Sequence, residues 1–235
     1  MKRTPRIDGL EGFRQLGAAD RQRVATATRE LRVDKGAAVF LQGQPADGVW
    51  AVKQGVIHIV KSGRGGRETV LEVIPPGELF GAIVALENRP YPASALAAEP
   101  SVVWCLPASL ARELCQTYPT LRSAILAQVT DRLRSAHERL QSVATEPVEQ
   151  RLARMLLVLA KKLGQRKDGT IILSVTRQEL ADMIGSTVET TIRTTSKWQH
   201  AGIVRSSRNE LRLTDPTGLR RIASGDRQAA PSLSQ

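Results

Sequence analysis

Residues 175–204 read VTRQELADMIGSTVETTIRTTSKWQHAGIV, two short amphipathic stretches separated by the tripeptide Gly-Ser-Thr at 185–187. In the first stretch, Thr176 and Glu179 have the order and spacing of a capping box, which predicts that a helix begins there. Two helices joined by a short turn that contains glycine form the bihelical unit of many DNA-binding proteins. The segment therefore predicts a helix-turn-helix.

The apolar residues of this segment are spaced so that they can meet in a small shared core. We expect that core to contain Leu180, Ala181, Ile184, Val188, Ile192 and Trp198. Beyond it, residues 203–214 alternate around a polar Arg-Asn turn, as a hairpin does. A hairpin at this place predicts the wing of a winged helix-turn-helix, which contacts the DNA backbone.

The second helix of the unit has Glu189 and Arg193 one helical turn apart. A carboxylate can accept from cytosine N4 and a guanidinium can donate to guanine O6 and N7, so both residues are predicted to contact bases. The alternative is a surface ion pair, worth a few tenths of a kcal/mol. Contacts to DNA phosphates are predicted for Thr176, Arg177, Ser186, Thr187 and Lys197.

Charge points to the same end of the chain. The 235 residues have a formal charge of +11 and a pI near 10.4, which favours a polyanionic partner. Residues 148–235 contain 15 Lys and Arg against 8 Asp and Glu, whereas residues 1–147 contain 19 against 15. No stretch approaches the roughly 20 apolar residues of a membrane-spanning helix, so we expect a cytoplasmic protein without a membrane partner.

The first half has a different pattern. From residue 35 to 107, short apolar runs alternate with glycine-containing turns and predict an all-β barrel or sandwich. From Ala108 to about Ala144 the period becomes helical, and Pro147 marks a boundary before a second helix. The helical stripe contains Leu121, Ile125, Val129, Leu133, Ala136 and Leu140. It predicts either a seam with a second copy of the chain or packing against its own barrel.

The sequence argues against an enzyme. A metal-dependent oxygenase needs clustered His and carboxylate ligands, and His58 stands alone among the predicted strands. A glycine-rich nucleotide loop and a nucleophile elbow are also missing. Cys105 and Cys115 are expected to be reduced, buried thiols, and two cysteines are too few for an iron–sulfur cluster within one chain.

Several segments in order resemble the Crp/Fnr family of bacterial transcription regulators. They are PPGELFG at 75–81, the helix to Ala144, PVEQRLARMLL at 147–157, VTRQELADMIGSTVETTIR at 175–193 and TDPTGLRRIA at 214–223. The resemblance implies an α+β chain. Its parts would be a β-roll (double-stranded β-helix) sensor at 1–107, a dimerisation helix at 108–146, a winged helix-turn-helix at 147–222 and a flexible tail at 223–235.

Within the family, the chain looks more similar to the Fnr and nitric-oxide-responsive branches than to the cyclic-AMP receptor. Val188 stands where the cyclic-AMP branch has an arginine, and the pattern Val-Glu-x-x-x-Arg resembles the Fnr branch. Ile192, however, replaces the serine that the Fnr branch has before its arginine. The resemblance implies a central TGA-like element in each half-site.

The resemblance also implies a cyclic-nucleotide pocket, and this sequence departs from its pattern. When Gly81 is matched to the glycine of the pocket, Ala82 replaces the ribose-binding glutamate, and Pro92 and Ala93 replace the Arg-Ser pair that binds the phosphate. The helix positions that meet adenine are Ala136 and His137, without the usual hydroxyls. A buried phosphate without its cation is costly, so cyclic AMP is not expected to bind in the family manner.

The expected function is that of a homodimeric transcription regulator on a palindromic promoter, which contacts RNA polymerase if it is an activator. Its signal is expected to be something other than cyclic AMP. The alternatives are a constitutive regulator with a degenerate, ligand-free sensor, or a haem-based gas or redox sensor with His58 or His137 as an iron ligand. The cofactor stays open at this point.

Overall fold

The computed structural model describes Ile7, Leu10 and residues 12–62, 68–167, 170–207 and 210–225. The chain divides into two compact units, residues 1–134 and 135–235, and the division falls inside one long helix. The α+β class expected from the sequence is confirmed. Among the described residues, no helix combines the length and the apolar character needed to cross a membrane.

The first unit is built mainly from antiparallel strands. Its elements are α1 (Ala18–Ala27), β1 (Arg29–Val33), β2 (Ala38–Phe40), β3 (Gly48–Gln54), β4 (Ile57–Ser62), β5 (Glu68–Ile74), β6 (Leu79–Phe80), α2 (Ala82–Leu86), β7 (Ser94–Ala97), β8 (Ser101–Pro107), α3 (Ala108–Thr117) and the start of α4 (Pro119–Thr145). The strands form antiparallel sheets in the orders β1-β8-β3-β6 and β2-β7-β4-β5. The β-rich architecture predicted for the first half of the chain is therefore confirmed.

One apolar core fills this unit. It includes Trp50 from β3, Leu106 from β8 and Leu114 from α3, each nearly inaccessible to solvent. The turn between β3 and β4 requires a glycine, because Gly55 has φ +82° and a Cβ there would lie 2.8 Å from the Cα of Ser101. Short strands and tight turns thus close the sheets around the core.

The helical stretch after the roll is two helices, and the single helix predicted from Ala108 onward is wrong. α3 ends before Tyr118, which has an extended backbone with φ −117° and ψ 93°. Pro119 then begins α4, because proline restricts the residue before it to extended conformations and lacks the N–H that a helix interior needs.

The apolar stripe of α4 divides into a covered part and an exposed part. Leu121 and Ile125 are 1% and 4% exposed and belong to the core of the first unit, so they cannot line a seam with a second chain. Leu126, Leu133 and Leu140 are 60%, 56% and 69% exposed. Their spacing of seven residues matches the heptad repeat of paired helices. Of the other predicted stripe residues, Val129 is half-buried and Ala136 is exposed.

Arg132 joins α4 to strands of the first unit through polar contacts. Arg132 Nε lies 2.7 Å from Glu72 Oε1 on β5, and Arg132 Nη2 donates to the backbone carbonyl of Leu79 on β6. Glu78 Oε2 lies 3.9 Å from the same guanidinium nitrogen, Nη2. These contacts hold the middle of the long helix next to the segment that leads to Gly81.

The second unit combines helices with a small antiparallel sheet. After the end of α4 come α5 (Val148–Leu163), β9 (Gln165–Lys167), β10 (Thr170–Leu173), α6 (Arg177–Ile184), α7 (Val188–His200), β11 (Val204–Ser206), β12 (Leu211–Leu213) and α8 (Pro216–Ser224). The strand order is β11-β12-β10-β9. The predicted hairpin strands are β11 and β12, and its Arg-Asn turn at 208–209 lies outside the described residues.

The core of the second unit is formed by α5, α6, α7, α8 and one face of the sheet. Its fully buried apolar residues include Leu152, Leu156, Leu180, Leu213 and Leu219. At the end of the chain, α8 includes residues 223 and 224, which the sequence analysis assigned to the tail. Residues 226–235 of the predicted tail lie outside the described residues.

Candidate nucleic-acid interface

Helices α6 and α7 are joined by the turn at 185–187, and each begins with a threonine cap. Thr176 Oγ1 accepts the backbone N–H of Glu179 at 3.2 Å, while Glu179 Oε2 accepts the N–H of Thr176 at 2.7 Å. Thr187 Oγ1 caps α7 by accepting the backbone N–H of Thr190 at 3.2 Å. Gly185 ends α6 at φ 63°, a left-handed conformation that glycine adopts without strain. The predicted helix-turn-helix is confirmed.

Arg151 on α5 holds this turn. Its Nε donates to the carbonyl of Ile184 at 3.2 Å and its Nη2 to that of Gly185 at 3.3 Å. Its Nη1 also donates to the carbonyl of Glu146, just beyond the end of α4, at 3.0 Å. A guanidinium at a helix C-terminus satisfies carbonyls that lack an intrahelical partner and complements the helix dipole. The start of α7 is therefore positioned by a charged contact that sequence reasoning missed.

Glu149 on α5 positions the other end of α7. Trp198 Nε1 donates to Glu149 Oε1 at 3.0 Å, and Lys197 Nζ lies 3.1 Å from the same oxygen. Trp198 is 1% exposed, so its ring packs in the core while its N–H is satisfied. Lys197 was predicted to contact phosphate, but in this structure its ammonium group is paired with α5. Because the lysine side chain is 69% exposed, that ion pair is weak.

The outward face of α7 carries Glu189 and Arg193, and both side chains are exposed. Within the described residues, no salt bridge joins them. The pKa of Glu189 lies below its usual range because its own backbone N–H and then the Thr187 hydroxyl donate to the carboxylate. Glu189 thus carries its charge at the helix N-terminus, and the guanidinium of Arg193 has no carboxylate partner in the described part of the chain.

The buried face of α7 differs from the predicted one. Thr191 and Thr195 are 0% and 2% exposed, whereas Ile192 is 47% exposed. The helix faces the core along 191, 195 and 198, a spacing of four and three residues, and this places 192 outside. Each buried hydroxyl donates to the carbonyl four residues earlier, at 3.0 and 2.9 Å, so neither is left unsatisfied. The assignment of Ile192 to the core is wrong.

The residues predicted to contact phosphates differ in how far their polar groups are already hydrogen-bonded. The hydroxyls of Thr176 and Thr187 are used as helix caps, and Ser186 is half-buried between them. Arg177 Nη2 donates to the carbonyl of Ser207 beside the wing at 3.3 Å. Burial lowers the pKa of Arg177. Its Nη1 is buried without a hydrogen-bond partner among the described residues, so no hydrogen bond there compensates for the loss of water.

The wing adds two arginines that sequence reasoning missed. Arg205 on β11 and Arg212 on β12 are direct cross-strand partners, and both are exposed. Val204 and Leu213, their neighbours in sequence, are buried. Like charges opposite each other destabilise a strand pair, and here only Arg212 has a carboxylate within the described residues, that of Glu210 at 2.6 Å. The alternation in the sequence could have revealed this basic face.

The sensor residues that were matched to the nucleotide pocket lie around α2. Gly81 precedes α2 with φ 68°, and Ala82 is its buried first residue. Pro92 is exposed and Ala93 is buried, just before β7. These positions offer neither a carboxylate for a ribose nor a cation for a phosphate.

An aromatic cluster fills the space behind Gly81. The rings of Phe40 and Tyr91 stack with centroids 3.6 Å apart, and Trp50 Nε1 donates to the Tyr91 hydroxyl at 2.9 Å. Burial raises the pKa of Tyr91 to about 12. A Cβ on Gly81 would lie 3.0 Å from the Tyr91 ring. The residues present therefore do not fit a cyclic nucleotide held in the family manner.

The remaining cofactor candidates belong to different units of the chain. His58 is a half-buried residue of β4 in the first unit, whereas Ala136 and His137 are exposed residues of α4 in the second. Among the described residues, no group of three or more His, Cys, Asp or Glu side chains could hold a metal ion. Cys105 and Cys115 are both buried, and burial raises the pKa of each thiol.

Comparison with known proteins agrees with this division of the chain. Residues 30–118 match the cyclic nucleotide-binding domain, and residues 150–222 match the Crp-like helix-turn-helix domain. The CRP-like cAMP-activated global transcriptional regulator of Mycobacterium tuberculosis is 25% identical over 85% of this chain and 92% of its own. The transcriptional activator protein FnrA of Stutzerimonas stutzeri is 26% identical over 81% of this chain and 79% of its own.

Solved structures show the same fold. The transcriptional regulator TTHA1359 of the CRP/FNR family from Thermus thermophilus has a TM-score of 0.71 and 25% identity, covering 83% of this chain and 98% of its own. FixK2 from Bradyrhizobium japonicum has a TM-score of 0.74 and 23% identity, covering 83% and 96%.

The fold, the helix-turn-helix and these matches together define a DNA-binding transcription regulator with a ligand-sensing domain, and not an enzyme. The chain belongs to the Crp/Fnr family. Its similarity to CRP-like and Fnr-like relatives is nearly equal, at 25% and 26%, so overall identity assigns it to neither branch.

Proposed function

We propose that this protein binds a palindromic promoter site as a homodimer and reads each half-site with Glu189 and Arg193. The observation that carries the proposal is their exposure on the outward face of α7 without a mutual ion pair. A free guanidinium can donate to guanine O6 and N7 together, and a carboxylate one turn earlier can accept from cytosine N4. Each half-site then contains a G·C pair, within a TGA-like element.

Contacts to the DNA backbone would come from both sides of the reading helix. Arg177 lies at the start of α6 and touches the wing at Ser207, and the wing exposes Arg205 and Arg212. Ser186 and the amides at the start of α7 provide neutral donors. Lys197 reaches a phosphate only by leaving Glu149, at the small cost of an exposed ion pair.

The homodimer would form along the exposed part of α4. Leu126, Leu133 and Leu140 recur at heptad spacing and are more than half exposed, and two copies of such a helix bury this face against each other. A twofold dimer presents two reading helices with matching symmetry, which requires a palindromic site. Contact with RNA polymerase would follow if the protein activates transcription.

The signal at the sensor is proposed to be something other than cyclic AMP. Ala82 and Pro92 supply no group for a ribose or a phosphate, and Phe40, Trp50 and Tyr91 fill the space behind Gly81. Because these aromatic rings occupy that space, they also favour a second candidate, a constitutive regulator whose sensor unit binds no ligand. A haem-based sensor is the third candidate, with His58 or His137 as the iron ligand.

The test of DNA reading begins with selection of duplexes from a random pool by the purified protein. On the selected duplex, Arg193→Ala should cost about 1–3 kcal/mol and relax discrimination at one base pair. Arg177→Ala should weaken selected and random duplexes alike, and Arg220→Ala, an exposed arginine on α8, is the matched control. If the Arg193 and Arg177 variants both bound every duplex like wild type, the assigned interface would be wrong.

Ligand-binding tests distinguish the three candidate roles of the sensor unit. Calorimetry should detect no micromolar binding of cyclic AMP, and absorbance at about 400 nm after expression with haem would identify a haem protein. In a thermal-shift screen of metabolites, a true effector raises the melting temperature by mass action. A constitutive regulator should instead bind its selected duplex tightly without any addition.

A further inference from the structure

Three residues of α7 reverse the usual arrangement, in which apolar side chains are buried and polar side chains are exposed. Two threonines, Thr191 and Thr195, occupy core positions, while the isoleucine between them is 47% exposed. In an amphipathic helix the buried positions are usually apolar and the exposed ones polar, so these three residues depart from the pattern. The exposed position of Ile192 therefore has no explanation in the packing of its own unit.

Ile192 lies at the centre of the surface proposed to enter the major groove. On a helix, residues three and four apart are neighbours, so Glu189, Ile192, Arg193 and Ser196 share one face. All four are exposed. Isoleucine is β-branched and is held almost entirely in one rotamer within a helix. It thus presents a rigid apolar surface between the proposed carboxylate and guanidinium readers.

We propose that Ile192 reads the C5-methyl group of a thymine next to the base pair contacted by Arg193. In the major groove, the thymine methyl is the apolar group that distinguishes one base pair from another. An isoleucine in contact with it removes both apolar surfaces from water, whereas cytosine has only a hydrogen at C5 and a polar N4–H₂ group beside it where thymine has O4. This assignment rests on the proposed DNA-reading function and adds a specificity determinant to it.

A protein partner is the other class of molecule that could cover an exposed isoleucine. The flanking residues favour DNA, because Glu189 and Arg193 have the spacing and exposure of base readers and the nearby wing carries exposed arginines. A docking surface for protein would need a wider apolar area, and the neighbours of Ile192 on this face are charged or polar. Duplex DNA is therefore the molecule expected to cover Ile192.

The experiment uses the duplex selected by the wild-type protein and replaces its thymidines one position at a time by deoxyuridine, which removes only the methyl group. At one thymine position, substitution in a single half-site should lower the affinity of wild type about fourfold. Substitution in both half-sites should lower it about 15-fold, because each substitution removes one buried carbon. Ile192→Ala should bind the thymine and uracil duplexes equally. Ile192→Val, which keeps a branched side chain, should retain part of the discrimination.

Ser196→Ala is the matched control on the same face and should keep the full uracil effect. Melting temperatures of all variants should be close to that of wild type, because position 192 is not part of the core. The proposal is overturned if wild type binds every uracil duplex as tightly as the original, or if Ile192→Ala loses the same affinity as wild type. Failure to select any sequence from the random pool would instead refute the proposed function.

Discussion

Trp198 Nε1 donates a hydrogen bond to Glu149 Oε1 at 3.0 Å, and this bond joins the end of α7 to α5. Glu149 precedes Trp198 by 49 residues in the chain. The pair matters for the proposed function because α7 can present Glu189 and Arg193 reproducibly only if the helix itself is held in one orientation.

Replacement of Glu149 by alanine should destabilise the protein. The indole N–H of the buried Trp198 would lose its acceptor, at a cost of about 1–3 kcal/mol. Glu149→Gln keeps a side-chain oxygen and should lose less than half as much, as measured by urea denaturation followed through tryptophan fluorescence. Equal losses in both variants would show that the carboxylate charge, and not the hydrogen bond to Trp198, holds the helix.

Arg151 should contribute more to stability than its near neighbour Arg154. Arg151→Ala removes donors from the carbonyls of Ile184, Gly185 and Glu146, and charge-assisted bonds of this kind are each worth about 1.5–3 kcal/mol before their partners regain water. Arg154 makes an ion pair with Glu146 but is half exposed, so Arg154→Ala should cost at most about 1 kcal/mol. Denaturation curves of the two variants give the comparison, and similar midpoints would contradict it.

The exposed leucines of α4 give a prediction about assembly. Leu140→Lys, and independently Leu133→Lys, should convert a dimer into a monomer at micromolar concentration, because a charge would be buried in the paired seam. Sedimentation velocity measures this change. Leu41→Lys is the control, since Leu41 is 49% exposed on the sensor unit and lies off α4. A wild-type protein that is already monomeric at these concentrations would remove the basis for the seam.

Tyr91 should make stability fall at alkaline pH. Burial raises its pKa to about 12 from an ordinary value of 10.0. Because the folded state holds the proton more tightly than the unfolded state, the stabilisation is complete below pH 10 and is lost as the pH rises toward 12. Tyr118→Phe leaves Tyr91 as the single tyrosine, and its phenolate absorbance should appear only near pH 12 or on unfolding. Titration near pH 10 in the folded protein would contradict the burial of this hydroxyl.

The two thiols should be inert in the folded protein. Burial raises the pKa of Cys105 and of Cys115, so the reactive thiolate is scarce at neutral pH. Reaction with Ellman's reagent should be slow in buffer and fast in urea, and DNA affinity should not change after mild oxidation. Fast reaction of one thiol in the folded state, traced with Cys105→Ser and Cys115→Ser, would reopen a redox role.

Much of the DNA-binding unit could be predicted from the sequence because its signals are local. The capping box of Thr176 and Glu179, the left-handed Gly185 and the alternation of the wing each depend on residues within a few positions of one another. Hydrogen bonds over such short separations form in nearly the same way in any fold. The chain itself therefore specified where the helices, the turn and the strands lie.

Other features depended on partners that are distant in sequence. A helix with apolar residues at 188, 192 and 198 and threonines at 191 and 195 can bury either side, and packing against α6, β11 and α5 buries the side with Thr191 and Thr195. The contacts of Glu149 with Trp198 and of Arg132 with Glu72 join residues 49 and 60 positions apart. Spacing along the chain carries no signal for such pairs.

By itself, the sequence determined the family of the protein and the helix-turn-helix with its wing, because helix caps, turns and periodic patterns are short-range properties. Only the tertiary structure decided which residues of α7 and α4 face outward and how the aromatic rings fill the sensor. Those outcomes follow from burial, and burial is set by all the surfaces that pack together at once.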